Sequence, residues 1–161
     1  MDNVFGGAAL TSADVVDGGA GSDVLVIVCR SSASNDLANV TNFEFLAIDN
    51  GTSASVYIAP ESLVAAGATL QVEFYGTGDA TFNASAETDG TYVLYGGLGD
   101  DVLIGGANGD ELWGDEGDDT ISGGAGADVV YGSDGHDTID LGAGADEFRG
   151  MTSWMRTVTS P

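Results

Sequence analysis

The sequence predicts an all-β solenoid, and three observations lead to this fold class. Six consecutive nine-residue units run from Gly96 to Arg149. Each unit has an aspartate at its sixth place and a large apolar residue at its eighth. The chain also carries 26 acidic residues, three arginines and no lysine. A short period that keeps one carboxylate and one apolar side chain in phase predicts stacked coils, with an apolar core beside a row of metal ligands.

The nine-residue units belong to a main array, residues 87–149. In register they read GGLGDDVLI, GGANGDELW, GDEGDDTIS, GGAGADVVY, GSDGHDTID and LGAGADEFR. The sixth-place residues, predicted as metal ligands, are Asp101, Asp110, Asp119, Asp128, Asp137 and Asp146. The eighth-place residues, predicted as core, are Leu103, Leu112, Ile121, Val130, Ile139 and Phe148. A degenerate unit, residues 87–95, opens the array and has Tyr92 in the place of the aspartate.

Each unit combines a turn with a short strand. Its first six residues are dominated by glycine, which tolerates positive φ, so the chain can turn sharply and direct several carbonyl oxygens into one concavity. Its last three residues form a strand whose middle side chain points inward. One unit cannot close a coil but two can, so the nine-residue period predicts an 18-residue coil with a strand on each side and a loop at each edge.

Three further segments complete the chain. Residues 1–30 hold a shorter repeat block, with a full match at Gly18 to Val26 and a degenerate one before it, so Asp23 and Asp14 are also predicted as metal ligands. Residues 31–86 contain short β-branched and aromatic runs, which predict irregular coils of the same solenoid or a small β-cap without calcium loops. Within them, residues 60–67 predict one or two helical turns. Residues 150–161 are expected to be a disordered tail or a truncation end.

The charge of the chain excludes some partners and favours others. A net charge of −23 argues against nucleic acid and against anionic membrane surfaces, which both require basic residues. The sequence contains no run of 18 consecutive apolar residues, so it predicts no membrane-inserted helix. Two carboxylates about 4 Å apart repel by about 4 kcal/mol at an effective dielectric near 20, so stacked aspartates need a cation between them. Oxygen ligands and carbonyl-rich loops favour Ca²⁺, because Mg²⁺ requires a tighter octahedron and Zn²⁺ prefers His or Cys.

The six units resemble the repeats of the RTX family of secreted bacterial proteins. The resemblance implies a right-handed parallel β-roll in which each ion lies between stacked GGxGxD loops, held by sixth-place aspartates and by backbone carbonyls. The implied carbonyl ligands in this chain are Gly96, Leu98, Gly105, Ala107, Gly114, Glu116, Gly123, Ala125, Gly132 and Asp134. Stacking of alternate loops predicts about four fully sandwiched ions. The departures from glycine at Asp115, Ser133, Asn108 and Leu141 weaken the prediction most for the last loop.

The resemblance also implies a function. We expect a calcium-binding structural module of a type I-secreted extracellular or cell-surface protein, similar to surface-layer proteins or adhesins, that folds on binding Ca²⁺. The chain shows no catalytic set, so we expect no enzymatic activity of its own, but it could be the accessory β-roll of a secreted protease, lipase or epimerase. The ninth-place residues Tyr95, Trp113 and Tyr131 predict an outer aromatic ladder. This ladder either binds a glycan or a partner, such as a neighbouring copy in a surface lattice, or only stabilises the sheet.

Overall fold

The computed structural model describes residues 3–6, 15–28, 34–150 and 157–159. These residues form a parallel β-solenoid with two long sheets, and none of them lies in a helix. The first sheet contains, in spatial order, β1 (Asn3–Gly6), β3 (Val24–Val28), β6 (Phe45–Asp49), β8 (Thr69–Phe74), β10 (Thr91–Gly97), β12 (Glu111–Asp115), β15 (Val129–Tyr131) and β18 (Glu147–Phe148). The predicted all-β solenoid is thereby confirmed, while its handedness stays a prediction.

The second sheet lies on the other side of the coils. It contains, in spatial order, β19 (Thr157–Thr159), β16 (Thr138–Asp140), β13 (Thr120–Ser122), β11 (Val102–Ile104), β9 (Ala80–Asn83), β7 (Ser55–Ile58) and β4 (Ser34–Asp36). Two short parallel pairs complete the strands, β2 (Val16–Asp17) with β5 (Val40–Thr41) and β14 (Ala125–Gly126) with β17 (Ala143–Gly144). None of the described segments forms a helix long and apolar enough to cross a membrane.

The length of a coil differs between the array and the segment before it. In the array, strand partners are 18 residues apart, as in the pairs Trp113 with Tyr131 and Thr120 with Thr138. Before the array the coils are longer, since Val24 pairs with Phe45 and Phe45 pairs with Gln71. Strands β6 to β9 belong to the same two sheets as the array. Residues 31–86 therefore contribute strands to the solenoid itself. From here on, we refer to residues 45–95 as the central coils and to the six complete units, residues 96–149, as the array.

The core runs along the inside of both sheets. The eighth-place residues Leu103, Leu112, Ile121, Val130 and Ile139 are at most 1% exposed, and Phe148 packs against them at the end. The central coils contain larger side chains, because Tyr57, Phe74, Phe82 and Tyr92 pack in series with ring centroids 5.6, 6.4 and 5.6 Å apart. Cys29, which alternation with Leu25 and Ile27 along one strand predicts to be buried, lies outside the described residues.

Two predicted features differ in the structure. Residues 60–67 form no helical turn but two successive turns, closed by hydrogen bonds from Leu63 N to Pro60 O and from Ala68 N to Ala65 O. The chain crosses here between the two sheets, and burial of Leu63 and Val64 in the core competes with helix formation. In the tail, Thr157–Thr159 forms β19 and pairs with β16. This part of the tail is therefore an added strand of the second sheet and not disordered.

Candidate metal centre

The glycine-rich loops of the array lie in two stacks, one at each edge of the solenoid. The loops of the first, third and fifth units stack on one edge, where Glu116 N donates to Gly97 O and Asp134 N donates to Asp115 O. The loops of the second, fourth and sixth units stack on the other, where Ala125 N donates to Gly106 O and Ala143 N to Gly124 O, with lengths of 3.0 and 2.9 Å. The alternate stacking predicted from the 18-residue coil is confirmed.

The sixth-place aspartates form a buried row along each edge. Five of the six are at most 2% exposed: Asp101, Asp110, Asp119, Asp128 and Asp137. One carboxylate oxygen of each accepts a hydrogen bond from the backbone of the preceding coil, as Asp119 Oδ1 does from Asp101 N at 2.8 Å. The same contact joins Asp110 N to Asp128, Asp119 N to Asp137 and Asp128 N to Asp146, at 2.8, 3.2 and 3.0 Å. The backbone thus fixes each carboxylate between two loops.

The second oxygen of most of these carboxylates has no protein partner. Among the six sixth-place aspartates of the array, the buried Oδ2 atoms without a hydrogen bond are those of Asp101, Asp119, Asp128 and Asp146. Asp110 differs, because its Oδ2 accepts a hydrogen bond from Gly106 N at 2.6 Å. A buried charged oxygen without a partner is costly, so such atoms imply a bound cation. The unsatisfied oxygens therefore fit the predicted metal.

The first-place glycines explain how carbonyl oxygens reach these carboxylates. A Cβ atom at Gly96 would lie 2.5 Å from Asp101 Oδ2 and 2.7 Å from the carbonyl oxygen of Gly114 in the next coil. The same pair of oxygens, one sixth-place Oδ2 and one first-place carbonyl, also surrounds Gly105, Gly114 and Gly123. At Gly123 the carbonyl oxygen belongs to Leu141. Leu141 replaces a first-place glycine, and its backbone oxygen keeps the same position. The carbonyl oxygens of Gly114, Gly123 and Gly132 thus lie close to sixth-place carboxylates. The ligand role of the first-place carbonyls stays a prediction.

The third-place residues have exposed side chains. These are Leu98, Ala107, Glu116, Ala125 and Asp134. The carbonyl of Asp134 already accepts a hydrogen bond from Gly117 N at 3.0 Å, so a metal would have to share that oxygen. The ligand role of the third-place carbonyls stays a prediction.

Two second-place residues adopt the backbone conformation of the glycines that they replace. Asp115 has a φ of 70° and Ser133 a φ of 72°, beside 105° for Gly97 in the same stack. A left-handed conformation costs a non-glycine residue roughly 1 kcal/mol, and less for Asp than for most. Asn108 keeps a negative φ, and its side-chain amide instead donates to the carbonyls of Thr88 and Gly90 at 3.2 and 3.1 Å.

Burial changes the protonation of the aspartate row. Desolvation raises the pKa of Asp101 and Asp119 to about 7 and that of Asp128 to about 6, although backbone hydrogen bonds oppose the rise. Desolvation also raises the pKa of Asp110 and Asp137. Neighbouring carboxylates add to the effect, as Asp101 and Asp137 do for Asp119. The row therefore holds negative charge at a cost that a cation would remove.

The donor set suits a hard cation that binds backbone oxygens. In the segments that the structure describes, no three side chains of His, Cys, Asp or Glu come together at one point. A site there must take most of its ligands from carbonyl groups, as Ca²⁺ does with six to eight oxygens. Zinc, which needs four side-chain ligands of the His or Cys type, does not fit.

Other polar groups occupy the loops outside the six complete units, and among them Glu44, Asn50 and Glu87 were not predicted from the sequence. Asp23 is 2% exposed, and its backbone N donates to Glu44 Oε2 at 2.7 Å, as sixth-place residues do to the next aspartate in the array. Asn50 is buried and its Nδ2 donates to Gly78 O at 2.5 Å. Glu87 is buried, and its Oε1 accepts hydrogen bonds from three successive backbone N–H groups. Asp14 lies outside the described residues.

The predicted aromatic ladder is present on the outer face of the first sheet. Tyr95 and Trp113 stack with ring centroids 5.8 Å apart, and Trp113 and Tyr131 with centroids 3.4 Å apart. Arg149 continues the ladder, since its guanidinium lies 5.9 Å from the Tyr131 ring centre and donates to Tyr131 Oη at 2.9 Å. The faces of these rings are therefore largely covered by one another, which leaves mainly their edges for contact.

Comparison with known proteins agrees with the geometry. A family model described as the RTX calcium-binding nonapeptide repeat matches the chain at residues 2–26, 93–112 and 113–148. These segments cover half of the chain and include all eight aspartates predicted as metal ligands. No curated protein and no solved structure matches the chain.

Proposed function

The chain belongs to the RTX calcium-binding nonapeptide repeat family, and on this premise we propose that it is a structural module that folds on binding several calcium ions. One observation carries the proposal, the row of buried sixth-place carboxylates with unpartnered Oδ2 atoms. Calcium supplies positive charge and a large oxygen coordination sphere. The sixth-place aspartates and the carbonyls of the glycine-rich loops would hold it.

The stacking of the loops sets the proposed number of ions. The loop pairs formed by units one and three, three and five, two and four, and four and six give about four fully enclosed positions. At free calcium about 100-fold above its dissociation constant, each site would add about 2.7 kcal/mol to stability. Four such sites together would match the whole free energy of unfolding of an ordinary domain, which is about 5–15 kcal/mol.

We further propose that the chain acts outside the cell. Proteins with these repeats are typically secreted, and a chain that needs calcium to fold would stay unstructured in a low-calcium cytoplasm. Export by a type I system, and a parent protein of the surface-layer or adhesin kind, are parts of this proposal. The module itself would have no catalytic role, and the accessory roll of a secreted enzyme is the alternative setting.

The aromatic ladder is better explained as a structural feature than as a glycan-binding surface. Sugars bind aromatic residues through the ring faces, and here Trp113 lies between Tyr95 and Tyr131 while Arg149 covers the end. Such stacked pairs stabilise a sheet by about 0.5–1.5 kcal/mol each. We therefore propose that the ladder stabilises the first sheet.

Circular dichroism during titration of Ca²⁺ into EDTA-treated protein tests the proposal. We expect β-structure and thermal stability to increase with calcium, and magnesium at the same concentration to have a much smaller effect. Equal spectra and equal unfolding temperatures in EDTA and in millimolar calcium would show that the chain is not a calcium-dependent module.

A further inference from the structure

We propose that the central coils, residues 45–95, are folded without calcium and serve as the template on which calcium folds the array. The inference rests on the calcium dependence proposed for the array. It adds that the solenoid has two parts, of which one needs calcium to fold and the other does not. Three features of the central coils separate them from the array: the residues in line with the aspartate rows, the contacts between their loops, and the size of their core.

The aspartate rows stop at the boundary between the array and the central coils. Strand register places Tyr92 and Leu70 in line with Asp110 on the first sheet. It places Ala80 and Ser55 in line with Asp101 on the second sheet. All four replacing residues are at most 2% exposed. The central coils thus lack the row of charged oxygens that opposes folding in the absence of a cation.

The loops of the central coils are connected by protein groups. The amide of Asn50 donates to the carbonyl of Gly78 one coil later, at 2.5 Å, so a neutral N–H group takes the place that a cation would have between loops. Within its own loop, Glu87 Oε1 accepts hydrogen bonds from the backbone of Thr88, Asp89 and Gly90 at 3.1, 3.2 and 3.0 Å, while its buried Oε2, a single atom and not part of a row, has no protein partner. These contacts form without any ion.

The apolar core is concentrated in the central coils. Fourteen buried apolar residues lie within residues 45–95, against six within residues 96–149. The central set includes Tyr57, Phe74, Phe82 and Tyr92, each at most 4% exposed. Hydrophobic stabilisation grows with the apolar area removed from water, and aromatic side chains bury the largest areas. The central coils therefore have the stronger calcium-independent driving force.

The contacts at the junction between the central coils and the array would allow folding to extend from the first into the second. The first carboxylate of each row binds backwards onto the central coils, because Asp101 Oδ1 accepts from Ala80 N at 2.6 Å and Asp110 Oδ1 accepts from Tyr92 N at 2.7 Å. In a solenoid each coil contacts only its neighbours, so folding extends from a coil that is already formed. A folded template at residues 80–95 would position the first aspartates of both rows for calcium.

Hydrogen–deuterium exchange of the full chain, followed by peptide mass spectrometry, tests the inference. In excess EDTA we expect slow exchange in peptides from residues 45–95 and fast exchange in peptides from residues 96–149. In saturating calcium we expect the array to become protected, by about 100-fold for each site held at 100 times its dissociation constant. Magnesium in place of calcium serves as the control.

The possible outcomes separate this inference from the proposed function. Fast exchange of both parts in EDTA, with joint protection in calcium, would leave calcium-dependent folding intact and overturn the template. Slow exchange of both parts in EDTA would overturn the calcium dependence itself. Protection of the array but not of the central coils in EDTA would overturn both.

A pair of core variants tests whether the template acts on the array. Phe82→Ala removes the ring that contacts Phe74 and Tyr92, outside every calcium loop. If the array folds on the central coils, this variant should raise the calcium midpoint of array protection by roughly tenfold or more. Ile139→Ala, at the far end of the array, should leave the EDTA protection of residues 45–95 unchanged. An unchanged calcium midpoint in Phe82→Ala would contradict the template.

Discussion

Replacing Asp119 with asparagine should favour folding of the array when calcium is absent and destabilise the folded array when calcium is bound. Asp119 is 1% exposed, its Oδ1 accepts the backbone N–H of Asp101, and its Oδ2 has no protein partner. Asparagine keeps the accepting oxygen and puts an amide where the charged oxygen lies, on the side of the Gly132 carbonyl. Asn50 already shows such an amide donating to a loop carbonyl, at 2.5 Å.

Without calcium, the size of the effect of Asp119→Asn on the folding free energy follows from the pKa of Asp119. Burial raises the pKa of Asp119 to about 7 in the folded chain, whereas the unfolded value is about 3.9. The folded state therefore binds the proton more tightly, so this contribution to stability is complete below pH 4 and is lost as the pH rises towards 7. The difference corresponds to about 4 kcal/mol at most. Asp119→Asn should thus shift the calcium-free array towards the folded state above pH 7 and not at pH 4.

With calcium bound, Asp119→Asn has the opposite effect and lowers the stability of the folded chain. Asp119 lies in the middle loop of its stack, so its carboxylate contributes to the positions on both sides. Loss of one site held at 100 times its dissociation constant costs about 2.7 kcal/mol, and loss of two about twice that. A change of 1 kcal/mol shifts the unfolding temperature of a domain of this size by about 2–4 °C. We therefore expect a decrease of roughly 5–20 °C in saturating calcium.

Circular dichroism measures both effects: the β-structure content in EDTA, where the array is expected to be largely unfolded, and the unfolding temperature in saturating calcium. Asp134→Asn is the matched control, because it removes the same charge from an exposed side chain in the same stack of loops and keeps the backbone carbonyl. Its effect should stay within about 0.5 kcal/mol under both conditions. Destabilisation by Asp119→Asn in EDTA as well as in calcium, or an equal response of the two variants, would refute the explanation.

Three further predictions concern the aspartate rows and the ladder. Asp119→Ala should lower the number of bound calcium ions, measured by equilibrium dialysis, more than Asp146→Ala at the end of the array; equal losses would contradict the stacked sites. The apparent calcium affinity should decrease between pH 8 and pH 5.5, because protons compete for Asp101 and Asp119, whose pKa is raised by burial to about 7; titration calorimetry that finds no pH dependence would exclude these residues as ligands. Trp113→Ala should lower stability by about 1–3 kcal/mol through two lost stacking contacts and leave glycan-array binding unchanged; loss of a glycan signal would instead favour a binding surface.

Much of the array could be predicted from its sequence. A strict nine-residue period with aspartate and an apolar residue in phase leaves one arrangement in which the eighth-place apolar side chains all point into the core. The pairing of Trp113 with Tyr131 and of Thr120 with Thr138 follows from that period. The burial of Asp119 between two loops follows as well, because every unit places its carboxylate at the same point of the turn.

The central coils could not be predicted to the same extent. Their length varies, so the register between Phe45 and Gln71 has no counterpart in a fixed spacing of residues. Residues 60–67 carry local helix signals, yet the crossing between sheets and the burial of Leu63 override them. Local preferences are weak compared with tertiary packing, and here packing decides.

The sequence by itself determined the repeating unit, the stacking of alternate loops and the two rows of aspartates, because a constant period turns spacing along the chain into position in space. The tertiary structure decided which residues stand in line with those rows where the period is lost. Only the register of the strands shows that Tyr92 and Ala80 occupy the next positions in line with the two aspartate rows. It also shows that Asp23 N donates a hydrogen bond to the carboxylate of Glu44. The physical reason is that hydrogen bonding between coils aligns residues by their place in the coil, while insertions in the longer coils hide that place from the sequence.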